Sequence, residues 1–82
     1  MHLALGYREL GDLLQASGEL EPALGAYRSS VELYEDVLEA NPKAEGPIPA
    51  LTEGYSRLAS IARELRRPEV AEECEKRLRQ LR

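Results

Sequence analysis

The chain has no phenylalanine and no tryptophan among its 82 residues, and only one cysteine, one histidine and one methionine. Each scarcity excludes something. A lone Cys74 allows neither an intrachain disulfide framework nor a paired-cysteine metal site. His2, the one histidine, has no second ligand or nucleophile placed with it, so no nucleophile–base pair can be assembled. Neither a metal nor a cofactor is expected, and the chain does not read as an enzyme. Gly11, Gly18 and Gly25 recur at intervals of seven. They fall in or between predicted helices, not after a strand as a phosphate-cradling loop requires. No apolar run approaches the ~18–20 residues of a membrane span. The opening MHLALGYREL lacks the charged n-region and longer apolar core of a secretory signal, so the expected location is cytoplasmic. Positive charge is also short: the net charge of −4 excludes a general nucleic-acid binder.

What remains is an ordinary soluble balance, 43% hydrophobic and 32% charged, which separates the chain from disordered sequences. Its length means one domain, burying roughly 60–65% of its unfolded surface. The apolar volume comes from aliphatic residues and four tyrosines, Tyr7, Tyr27, Tyr34 and Tyr55.

The apolar spacing is helical throughout, and it predicts an all-α chain of four helices. The first covers Met1 to Ala16, with Leu3, Tyr7, Leu10 and Leu14 as its main stripe. Ser17-Gly18 stops it. Glu19 is placed to cap the second helix, Leu20 to Ala40, whose Leu20, Leu24, Tyr27, Val31, Tyr34 and Leu38 form a heptad-like seam. Asn41-Pro42 ends that helix. Residues 43–49, KAEGPIP, read as a stiff irregular linker anchored by Ile48. The third helix runs from about Ala50 to Leu65 on Leu51, Tyr55, Leu58, Ile61, Ala62 and Leu65. Arg66-Arg67 breaks it, and Pro68 opens a fourth helix, Glu69 to about Leu81, at a position where a missing N–H costs nothing. There Val70, Ala71, Cys74, Leu78 and Leu81 share one narrow face. Acidic residues gather at the start and basic ones at the end, which suits the helix dipole. Glu72–Lys76 and Glu75–Arg79 are spaced as ion pairs. Cys74 reads as a small buried hydrophobe.

Charge is unevenly divided. Residues 1–45 hold nine acidic and three basic side chains, and residues 46–82 hold six acidic and eight basic ones. Two differently composed solvated faces are the simpler reading. Head-to-tail association of acidic on basic halves is the sharper one.

Shifted by 48 positions, the chain matches itself without gaps. Tyr7 falls on Tyr55, Leu10 on Leu58, Gly11 on Ala59, Leu14 on Ala62 and Ala23 on Ala71. Two diverged helix–turn–helix units follow. Within the first, Tyr7, Leu10-Gly11, Leu14, Gly18, Ala23, Tyr27 and Ser30 resemble the signature of a tetratricopeptide repeat: aromatic, Leu-Gly, large residue, turn glycine, Ala, aromatic, small residue. The proline usual near the end of the second helix is replaced by Glu35, a lengthening similar to that of tandem repeats in bacterial signalling proteins. The second unit departs further, with Arg66 at the turn-glycine position and Glu75 at the second aromatic.

The resemblance implies two antiparallel helical hairpins, residues 1–42 and 50–82, forming a right-handed solenoid fragment in which the second hairpin acts as a cap. It also implies a concave face lined by the first helix of each pair. Here that face takes Leu5, Arg8, Glu9, Asp12 and Gln15 from the first helix, and Ser56, Arg57, Ser60 and Arg63 from the third. Arg8 and Asp12 stand at clamp positions where relatives hold a C-terminal carboxylate, and an aspartate there repels such a ligand. The implied function is non-enzymatic protein–protein interaction or assembly scaffolding, with a protein or peptide partner, copies of the chain included, and neither nucleic acid nor membrane. Leu5, Leu13 and Leu33 lie outside the main stripes and are expected as an exposed apolar patch. The alternatives are a regulatory module of a larger bacterial kinase or transcription regulator, and a trafficking-type bundle that binds an amphipathic helix.

Overall fold

A computed structural model describes residues 2–81 of the protein. Met1, the expected start of the first helix, lies outside the described residues, as do the side chain of His2 and the terminal Arg82. The fold is all-helical: α1 spans His2–Ala16, α2 Leu20–Ala40, α3 Pro47–Glu64 and α4 Pro68–Gln80. No strand occurs among the described residues. Consecutive helices pack on one another, α1 on α2, α2 on α3 and α3 on α4.

The core lies along α2 and α3. Leu24, Tyr27 and Val31 of α2 meet Leu51, Tyr55, Leu58 and Ile61 of α3, and α4 adds Cys74. Each large side chain removed from water contributes about 1.5–3 kcal/mol. The heptad-like seam of α2 is this packing: its remaining members, Leu20, Tyr34 and Leu38, are half-buried against the same cluster.

α1 and α3 end in the same backbone motif. The Gly18 N–H donates to Gln15 C=O at 3.0 Å and the Glu19 N–H to Leu14 C=O at 2.9 Å. After α3, the Arg66 N–H donates to Arg63 C=O at 3.1 Å and the Arg67 N–H to Ala62 C=O at 2.8 Å. These are Schellman pairs, which satisfy helix-end carbonyls by placing one residue in the left-handed region. Gly18 does so at φ 81° and Arg66 at φ 59°. The glycine position of the first unit is thus reproduced geometrically in the second by an arginine.

Three expectations about the elements need correction. The linker is shorter than residues 43–49, because Pro47, Ile48 and Pro49 form the first turn of α3. N–H groups in a first turn have no intrahelical partner, so both prolines fit there without loss. Glu19 makes no side-chain cap on α2; its backbone N–H is taken by the turn instead. The pairs on α4 are also different: Arg77 meets Glu73 at 3.4 Å, and Glu75 reaches across to Arg63.

The largest departure concerns α1. Leu3 and Leu10 of the expected stripe are exposed, while Ala4 and Gly11 are buried. Close approach explains it. A Cβ on Gly11 would lie 2.8 Å from two ring carbons of Tyr27, so the ring rests directly on the glycine backbone. The Ser30 hydroxyl, itself buried, donates to Ala4 C=O at 2.8 Å. α1 therefore meets α2 through its small residues, and its leucine stripe turns away. Tyr7 and Leu14 sit half-buried at the margin.

Candidate partner-binding surface

The expected concave residues divide into those engaged with one another and those left open. Tyr27 is fully buried, and its hydroxyl donates to the Asp12 carboxylate and lies 3.2 Å from Gln15 Oε1. Arg57 of α3 completes the group: its Nη1 is 3.0 Å from Asp12 Oδ1 and its Nη2 2.6 Å from Glu53 Oε1. α1, α2 and α3 are thereby tied at one point. Burial, followed by the hydrogen bond to Asp12, pushes the Tyr27 hydroxyl up to about 12, with Arg57 opposing. The phenol is a fixed neutral donor, not an acid or base in waiting.

Of the nine expected residues, Asp12, Gln15 and Arg57 are drawn together in this network. Arg63 is drawn away from it, toward Glu75 of α4. Leu5, Glu9, Ser56 and Ser60 are exposed. Arg8 is half-buried, and its Nε is shielded from solvent without a hydrogen-bond partner among the described residues.

A second surface lies between α2 and α4, a groove of about 440 Å³ reaching Tyr55, Leu58 and Cys74 and edged by Arg28, Glu69 and Glu73. Tyr55 donates to Glu35 there, and Arg77 stands 3.7 Å from the same carboxylate. Burial raises Tyr55, reinforced by that hydrogen bond. Burial also raises the Cys74 thiol, which the nearby arginines only partly offset. A neutral thiol of this kind is not an activated nucleophile. The expected packing role of Cys74 agrees with its burial.

The third surface is apolar and belongs to α1. Leu3 is 61% exposed, Leu10 45% and Leu13 68%. Leu5 and Leu13 are exposed as expected, whereas Leu33 is half-buried and does not join them. The shift of 48 gives this face its meaning. It places Leu3 on Leu51, Gly6 on Gly54, Leu10 on Leu58 and Leu13 on Ile61. On α3 all four are buried, and a Cβ on Gly54 would lie 2.6 Å from Val31 Cγ2 of α2. On α1 the same four positions are exposed, with no atom within 4 Å of where a Gly6 Cβ would lie. Sequence reasoning assigned Leu3 and Leu10 to the core. The signal that could have found this surface was present in the self-match, because α3 has α2 to cover its stripe and α1 does not.

No helix among the described residues is long and apolar enough to cross a membrane. No group of histidine, cysteine and carboxylate side chains that could hold a metal occurs among them either. Comparison with protein-family models, with curated proteins and with solved structures returns no significant match.

Proposed function

We propose that the chain is a non-enzymatic protein-interaction module of the tetratricopeptide-repeat type. In this reading α1–α2 and α3–α4 are two antiparallel hairpins of a short right-handed stack. The self-match, the Schellman turn repeated at Gly18 and Arg66, and packing chiefly between consecutive helices all support it. That packing order favours a stack over a trafficking-type bundle. The observation that carries the functional reading is the open face of Leu3, Gly6, Leu10 and Leu13. Its α3 counterpart is covered by an amphipathic helix with apolar residues seven apart, Leu24, Val31 and Leu38. The partner of α1 is accordingly an amphipathic helix of that kind, docked by its apolar side. The exposed Glu9, three residues from Gly6 and four from Leu13, then borders this face, contributing orientation more than affinity.

The test uses a synthetic peptide of residues 20–40 added to the methyl-labelled protein. Selective shifts of the Leu3, Leu10 and Leu13 methyls are expected, and a Val31→Glu peptide should lose them. Methyl spectra that do not change with the unmodified peptide would refute helix docking at α1.

A further inference from the structure

We infer that the occupant of the α1 face is the α1 face of a second copy of this chain, in a two-fold symmetric dimer. The inference rests on the docking reading above and names its partner. Three observations lead to it. First, the face is self-complementary. It offers protruding leucines, Leu3 and Leu10, seven residues apart, and beside them an empty hollow at Gly6. Within the fold, α2 fills the matching hollow at Gly54 with Val31. In a symmetric pair each copy supplies both the leucine and the hollow, as an isologous contact requires.

Second, the centre of the face carries no charge. Leu3, Gly6, Leu10 and Leu13, with Tyr7 and Leu14 at one margin, are uncharged side chains, and the exposed Glu9 stands at the other margin. The contacting centres of two copies thus meet without the repulsion that defeats self-pairing of charged surfaces. Third, the other end of the molecule offers no substitute. The outward residues of α4 include Glu69, Glu72, Lys76 and Arg79, all exposed. Docking α1 on α4 of the next copy would bury unpaired charge, which is costly, so an open head-to-tail chain is disfavoured and a closed pair favoured.

A patch built from one short helix falls below the ~800 Å² per partner of stable complexes, so the dimer is weak and in exchange. The experiment is sedimentation equilibrium of the full chain from micromolar to millimolar concentration, beside the variants Leu10→Glu and Leu13→Glu. Both side chains are exposed in the monomer, so the variants keep their fold, checked by circular dichroism. A reversible rise toward twice the monomer mass is expected. Each glutamate should weaken it roughly tenfold or more by burying a charge in the contact. A Glu69→Ala, Glu72→Ala double variant on α4 should leave it unchanged. A dimer that persists undiminished in Leu10→Glu overturns the assignment. So does a chain that stays monomeric at millimolar concentration. If the peptide of residues 20–40 still shifts the α1 methyls of that monomer, helix docking stands and self-pairing alone has failed. If it does not, both have failed.

Discussion

Arg66 holds the left-handed position that Gly18 holds in the first unit, at φ 59° against 81°. A side chain in that region costs roughly 1–2 kcal/mol, because Cβ crowds the following carbonyl oxygen. Glycine removes the crowding but loses more backbone freedom on folding, about 0.5–1 kcal/mol. Arg66 is exposed, so its side chain contributes little packing. The expected net gain for Arg66→Gly is therefore ~0.5–1 kcal/mol, or a Tm rise of roughly 2–8 °C for a domain of this size. Thermal melts followed by circular dichroism measure it. Arg66→Ala is the control, since it deletes the same side chain and keeps the strain; it should give no comparable gain. Gly18→Ala should move the other way, losing about 1 kcal/mol. If Arg66→Ala stabilises as much as Arg66→Gly, the effect comes from removing the arginine and the backbone explanation is refuted.

The glycines of α1 provide a second test. Gly11→Ala places a Cβ against the fully buried Tyr27 ring, whereas Gly6→Ala meets no atom within 4 Å. Helix propensity favours alanine by about 1 kcal/mol at either site, so it cancels between them. The remaining difference is overpacking, ~1–3 kcal/mol in favour of Gly6→Ala, read from urea unfolding midpoints; equal stabilities would show that α1 does not rest on the tyrosine. A third test concerns pH. Tyr27 has a folded pKa of about 12, above the ordinary 10.0, so its contribution is fully present below pH 10 and lost as pH rises toward 12. Tyr55 is raised in the same direction. The tyrosinate absorbance missing from Tyr27→Phe should therefore appear near pH 12 together with loss of helix, and ionisation at pH 10 in a chain that keeps its helices would contradict the buried hydroxyl.

Helix number and most helix ends were legible because the stops are chemical: Gly18, Asn41-Pro42 and Pro68 each act through a specific backbone constraint. The start of α3 was not. Gly46-Pro47-Ile48-Pro49 has the composition of a linker, and the same prolines are compatible with a first helical turn. Only the position of Pro47, buried against its neighbours, decides between the two. The orientation of α1 was misread for a different reason. Hydrophobicity ranks Leu3 and Leu10 above Ala4 and Gly11, but close approach of two helices selects for small residues. The Tyr27 ring needs Gly11 more than the core needs Leu10. The concave residues were legible as a set only in part. Asp12 and Arg57 lie 45 positions apart, and their pairing depends on Tyr27 from a third helix.

The uneven charge of the two halves bears on partner choice. Three ion pairs, Asp12–Arg57, Glu21–Arg67 and Glu35–Arg77, each join an acidic side chain of residues 1–45 to a basic one of residues 46–82. Part of the complementarity that suggested association between molecules is thus engaged within one. Exposed pairs of this kind contribute roughly 0–1 kcal/mol each, so they align helices more than they hold the fold. They engage three of the nine acidic side chains of residues 1–45, and they withdraw Asp12 and Arg57 from any ligand on that side of the molecule. With Asp12 and Arg57 engaged on each other, the chain presents its largest exposed hydrophobics on α1, at Leu3, Leu5, Leu10 and Leu13. In the proposed reading, recognition is therefore apolar in origin, and specificity would come from how a partner helix fits against the open position at Gly6.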